Sequence, residues 1–150
     1  MRKTMFAAAL AMCAAPAFAA DGACYDDTAI QDAVAVQGML SAGAEELTRL
    51  AISEGVSREH VYVLGRQMVL IERLHRRLLE RRDCAAGDAA LERDFSIMKR
   101  VFAAFQDGDA DLKIEPLKAE AAQALLGEIE RHTGVLGAEL DKLPKHAAPD

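Results

Sequence analysis

The chain has 150 residues, 51% of them apolar, with 18 basic and 24 acidic side chains and a net charge of −6. That length suits one domain with a core of its own, and the acidic balance argues against non-specific nucleic-acid binding, which needs a basic footprint. Aromatics at 5% and the absence of Trp, beside abundant Ala, Leu, Glu and Arg, favour helices over a β-sandwich.

Residues 1–19 read as an export signal. Arg2 and Lys3 precede an apolar run from Met5 to Ala15, Pro16 breaks it, and Ala17-Phe18-Ala19 offers small residues for cleavage. Met12 before Cys13 is too large for a lipoprotein signal. Cleavage after Ala19 removes both basic residues of the leader, and no later stretch approaches the length of a membrane span. The expected product is a periplasmic chain without a membrane span.

Four amphipathic segments follow, in the order of an up-down antiparallel four-helix bundle over residues 20–143, with 144–150 as a tail. The first opens near Thr28, where Thr28-Ala29-Ile30-Gln31 reads as a capping box, and stops at Gly55. Its seam is Ala33, Val36, Leu40, Leu47 and Leu50. Gly38 and Gly43 inside it weaken the helix or admit a neighbouring backbone. The second follows Ser57 as N-cap and runs to about Arg82, with Val61, Leu64, Met68, Ile71, His75 and Leu78 as its seam. The third follows Asp88 as N-cap, with Leu91, Phe95, Met98, Phe102 and Phe105 inward. Asp107-Gly108-Asp109-Ala110-Asp111 breaks it. The fourth is expected to start at Pro116, a residue suited to the first helical position, with Leu125, Ile129, His132, Leu136, Leu140 and Leu143 as its seam.

In an oxidising compartment the remaining cysteines, Cys24 and Cys84, are an even pair outside any CxxC motif. One precedes the first helix and the other follows the second, so both fall at one end of an up-down bundle. A disulfide is expected there. Closing a loop of about 60 residues, it would stabilise the fold by roughly 4 kcal/mol.

The second helix concentrates charge: seven Arg (58, 66, 73, 76, 77, 81 and 82) against three Glu (59, 72 and 80), in a chain that is otherwise acidic. At about 100° per residue, Arg66 and Arg73 fall on one stripe opposite the seam, with Tyr62 and Val69 beside them and Leu70 at the edge. Such a stripe is a solvated basic face or a second interface. Two copies packed there would need an anion or carboxylate between their guanidinium groups.

Gly65-Arg66-Gln67-Met68-Val69-Leu70-Ile71-Glu72-Arg73-Leu74 resembles the Gly-Arg-Gln-Arg-Met-Leu-Ser-Gln-Arg pattern of the PilJ-type sensor domain, the extracytoplasmic module of type IV pilus chemoreceptors, which is related to nitrate sensors. Downstream, Phe102-Ala103-Ala104-Phe105-Gln106-Asp107-Gly108-Asp109, then Leu112 and Pro116, is similar to a helix end and Gly-Asp loop of that family. The resemblance spans about Val61 to Leu140. Met68 stands where the motif has its central Arg, Ile71 where it has Ser, and Glu72 where it has its second Gln. The resemblance implies a non-enzymatic binding module in which Arg66 and Arg73, with Gln67 and Tyr62, hold a small anion at a dimer interface. It also implies a homodimer or a membrane receptor as partner.

Two other readings stay open. His75 and His132 both fall on helix seams, and facing imidazoles would suit a metal ion or haem, with Met68 or Met98 nearby. The single ExxH, Glu72-Arg73-Leu74-His75, is half of a di-iron pattern, and the bundle has no CxxCH for covalent haem. The alternative is a chaperone or adaptor that offers apolar helix surface to clients. Asp107, Asp109 and Asp111 imitate a calcium loop, but Leu112 and Lys118 occupy the positions that need Gly and Glu. There is no GxSxG, P-loop or GxGxxG, and Ser41, Ser53, Ser57 and Ser96 lack His and Asp companions in the sequence. Neither catalysis nor a cofactor is expected.

Overall fold

The computed structural model describes residues 27–82 and 88–143. They form four helices: α1 (Asp27–Ser53), α2 (Arg58–Arg82), α3 (Asp88–Asp107) and α4 (Glu120–Lys142). Each packs on its two neighbours in the ring α1–α2–α3–α4, and α2 and α4, like α1 and α3, lie across the diagonal without close backbone contact. This is the expected four-helix bundle. No described helix is long and apolar enough to cross a membrane. The signal sequence, Cys24, Cys84 and the tail lie outside the described residues.

The turns follow from local chemistry. Gly55 takes φ +66°, which lets its N–H reach the carbonyl of Ile52 (3.2 Å) while Val56 N–H reaches that of Ala51 (3.1 Å). These two bonds are a Schellman motif, and Val56 packs on the core as the residue after such a stop should. Ser57 then caps α2, its Oγ accepting from the N–H of His60 at 3.3 Å.

At the other loop, Gly108 (φ +86°) turns the chain into a short hairpin, with paired backbone bonds between Asp109 and Ile114 of 2.9 and 3.0 Å. A side chain at 108 would also press on Pro116 Cδ, 3.2 Å from where its Cβ would stand. Pro116 does not begin α4, which starts at Glu120. The reason is tertiary. Leu117 N–H donates to the carbonyl of Phe105 (2.8 Å), and Ile114 and Leu117 are buried, so this segment closes the end of the core in extended form. Gln123 then donates from its side-chain amide to the carbonyls of Gln106 and Leu117, supplying a donor to the end of α3.

The core lines also move relative to the expected seams. On α2 the buried positions are Leu64, Gln67, Ile71, Leu74, Leu78 and Arg81, while Val61, Met68 and His75 are half-buried flanks. On α4, Leu126 and Thr133 are buried where Leu125 and His132 were expected, and Leu140 is half-buried. α1 buries Ile30, Ala33, Gln37, Leu40, Ala44, Leu47 and Ala51, leaving Val36 and Leu50 partly covered. α3 buries Leu91, Asp94, Met98, Val101, Phe102, Ala104 and Phe105, with Phe95 at its edge. A helix in a ring touches two neighbours, so its covered arc is wider than a seam, and the deepest line is set by both.

Candidate functional site

The outer stripe of α2 is the lip of a groove rather than an isolated face. Between α2 and α3 runs a depression of about 460 Å³, walled by Tyr62, Arg66, Val69 and Arg73 on α2 and by Ile97 on α3, and bordered by Leu112 of the α3–α4 connection. Val63, Leu70, Val101 and Ile114 contribute its apolar floor. Tyr62 and Val69 are exposed, as the helical stripe requires, and Arg66 lies over the Tyr62 ring with its guanidinium carbon 5.9 Å from the centroid. No carboxylate forms an ion pair with Arg66 among the described residues.

Arg73 departs from the stripe. Its side chain turns inward, with Nη2 donating to Asp94 Oδ1 (2.9 Å) and Nε 2.7 Å from Oδ2. Arg77 Nε donates to the same Oδ2 at 2.8 Å, and Arg93 stands 3.7 Å from Oδ1. The Asp94 side chain is wholly enclosed. Two guanidinium groups on one buried carboxylate leave a net positive charge where α2 meets α3, and Arg73 is both an ion-pair partner and a wall of the groove. Only Arg66 of the two expected anion ligands is uncommitted to a carboxylate.

Gln67, expected on the binding face, is 3% exposed. It borders the groove from beneath, and its Oε1 is buried without a hydrogen-bond donor. The other buried glutamine, Gln37 of α1, is bonded at both ends of its amide: Nε2 donates to the carbonyl of Ile71 (3.1 Å) and Oε1 accepts from His75 Nδ1 (2.9 Å). Because Ile71 O can only accept, the amide orientation is set, and His75 must carry its proton on Nδ1. His75 is thus a bridge between α1 and α2. His132, on α4 across the diagonal, is half-buried at a flank, so the two imidazoles do not share the central layer. Among the described residues no three His, Cys, Asp or Glu side chains gather in a set that could hold a metal ion.

The aspartate-rich loop is held by its own backbone and by Arg100 of α3. Asp109 Oδ1 accepts from Leu112 N–H (3.0 Å), and Arg100 reaches Asp109 Oδ2 (3.0 Å) and Asp111 Oδ2 (3.4 Å). The Arg100 hydrogen bond, then the Leu112 N–H, hold the Asp109 carboxyl below its ordinary range.

Sequence reasoning missed three residues. Asp94 sits on the inward line of α3 between Leu91 and Met98; a carboxylate at a core position opposite an Arg-rich helix was the available signal. Gln37 sits likewise between Ala33 and Leu40 on α1. His60 was not singled out: its Nδ1 meets Ser57 Oγ, Nε2 donates to the carbonyl of Glu115 (2.9 Å), and its ring lies 5.7 Å from that of Phe105. The ring ties the start of α2 to the α3–α4 connection. Ser57 Oγ also accepts from the His60 N–H, so the pair caps the first turn of α2.

No protein-family model matches the chain, and no curated protein matches it.

Proposed function

We propose that this chain is a periplasmic, non-enzymatic binding module of the sensor type, which recognises a small anion or an acidic partner protein through the arginine-bearing face of α2. The observation that carries this reading is the α2–α3 groove, with an apolar floor and an exposed guanidinium without a carboxylate partner at Arg66. The resemblance of the Gly65–Leu74 segment to the PilJ-type motif supports the same face. Export through residues 1–19 and a Cys24–Cys84 disulfide complete the proposal. The described helices support the disulfide indirectly, because the start of α1 and the end of α2 share one end of the bundle.

Thermal unfolding of the exported protein tests the reading, with a panel of small anions and with polyglutamate as a stand-in for an acidic partner. The comparison protein is Arg66→Ala alone, because Arg73→Ala would also unpair Asp94. A ligand at 100 times its Kd stabilises by about 2.7 kcal/mol, a shift of several degrees. The expected result is a shift with one of these probes that Arg66→Ala removes. If no anion and no polyanion raises the Tm of the wild-type protein, the reading fails.

A further inference from the structure

We infer that the α2–α3 groove docks an acidic amphipathic helix of a partner protein; the inference rests on the binding reading above and specifies its partner. Apolar exposure is the first argument. Tyr62, Val69, Ile97 and Leu112 are 66%, 67%, 44% and 36% exposed, and all four line this one groove. Scattered apolar residues such as Ile52 and Val135 are ordinary, but a run of them along a single cleft marks a surface that another molecule covers.

Shape is the second. The groove continues past Tyr62 to a hollow beside Arg58 and Lys113, which shares Tyr62, Val63, Leu112 and Ile114 with it. From Arg58 to Arg73 the axis of α2 rises about 22 Å, the length of a four-turn helix and several times that of a small anion. A small ligand inside the cleft would leave most of the apolar rim in water. A helix laid along it would cover the rim and place side chains at i, i+4 and i+7 into the floor.

Charge is the third. Along this strip Arg58, Arg66, Lys113 and Arg73 stand against Glu59 and the Asp94 carboxylate that Arg73 already pairs with, in a chain whose net charge is −6. The basic surplus is gathered where the apolar rim is, so a helix with carboxylates flanking its apolar stripe is steered there and a basic one repelled. Gln67 Oε1, buried below without a donor, suits a hydroxyl or amide side chain of the incoming helix. A second copy of this chain would bring arginine against arginine. A lipid surface would not fill a concave cleft.

Fluorescence anisotropy with a labelled peptide of about four helical turns tests this, the peptide carrying Leu at i, i+4, i+7 and i+11 with Glu on both flanks. Its controls are the same peptide with Lys for Glu and a scrambled version without the stripe. Val69→Glu, Ile97→Glu and Arg66→Glu in the exported protein are expected to weaken binding about tenfold or more, while Val135→Glu, of equal added charge to Val69→Glu but on α4, leaves it unchanged. Unaltered unfolding midpoints show that these exposed positions keep the fold. The inference is overturned if the Lys or scrambled peptide binds as well, if Val135→Glu matches Val69→Glu, or if nothing saturates at about 1 mM peptide. It is equally overturned if phosphatidylglycerol vesicles occupy the groove in place of the peptide, or if the protein alone forms a dimer that Val69→Glu dissociates. An Arg66-dependent shift with anions or polyglutamate, without stripe-dependent peptide binding, leaves the binding reading standing and removes only the helical partner.

Discussion

Gly43 lets α1 and α4 come together. A Cβ there would stand 3.1 Å from Ile129 Cγ1, closer than packed carbons sit, whereas one at Gly38 would meet nothing within 4 Å. Both residues carry the same backbone entropy penalty, so their substitutions separate packing from propensity. Gly38→Ala is expected to stabilise the protein by about 0.5–1 kcal/mol in urea unfolding. Gly43→Ala should forfeit that gain or lose stability, because Ile129 must shift. Asp109 offers a second test, with a defined sign. Its carboxyl is held below the ordinary value of 3.8, first by the Arg100 hydrogen bond and then by Leu112 N–H. The contribution is therefore complete above that ordinary value and is lost as pH falls through the lowered one. An NMR titration should show the Asp109 midpoint rising toward 3.8 in Arg100→Met, with Leu112 N–H exchanging faster.

Between elements, polarity and residue size set how closely helices approach. α1 meets its neighbours through Ala33, Ala44 and Ala51, while the α2–α3 boundary holds Arg73, Arg77 and Asp94. Asp94 has no contact with water, and its two arginine side chains keep 37% and 22% of their surface exposed. Asp94→Ala would strand both guanidinium groups. The expected loss is about 2–3 kcal/mol by urea unfolding, less than for a fully buried pair because Arg73 and Arg77 stay partly solvated. The combined change Arg73→Met, Arg77→Leu, Asp94→Leu should recover most of that loss, since an apolar trio carries no desolvation penalty. If the triple variant is as unstable as Asp94→Ala, shape rather than charge holds this boundary.

Over the whole molecule, packing is uneven. α1 contacts α2 and α4 extensively, whereas α3 contacts both its neighbours more sparsely and is bordered by grooves on both sides. Sparse contact lowers the free energy of local opening. Amide hydrogen exchange should therefore find α3 less protected than α1, although α3 carries Phe102 and Phe105 into the core. Equal protection of the two helices would show that the bundle opens only as one unit. In the proposed complex a partner helix would bridge α2 and α3, so its binding should raise protection in α3 most.

Four helices, the stop at Gly55, the cap at Ser57 and the break after Asp107 were legible in the chain, because each follows from local chemistry: periodic apolar residues, a glycine that accepts positive φ, a hydroxyl that meets a free N–H. The exposure of Tyr62, Arg66 and Val69 was legible for the same reason. What lay beyond the sequence depends on neighbours distant along the chain. Pro116 would suit a helix start, but Leu117 binds the carbonyl of Phe105, and that contact holds the segment extended. Arg73 shares a helical stripe with Arg66, yet Asp94 draws it inward. Nothing local shows that flanking helices enclose Gln67 and Gln37, where Gln37 is bonded at both ends of its amide and Gln67 is left with an unmet acceptor. Helical periodicity determines which residues share a side, but the depth of that side, and whether its charges stay free, is decided by the helices packed against it.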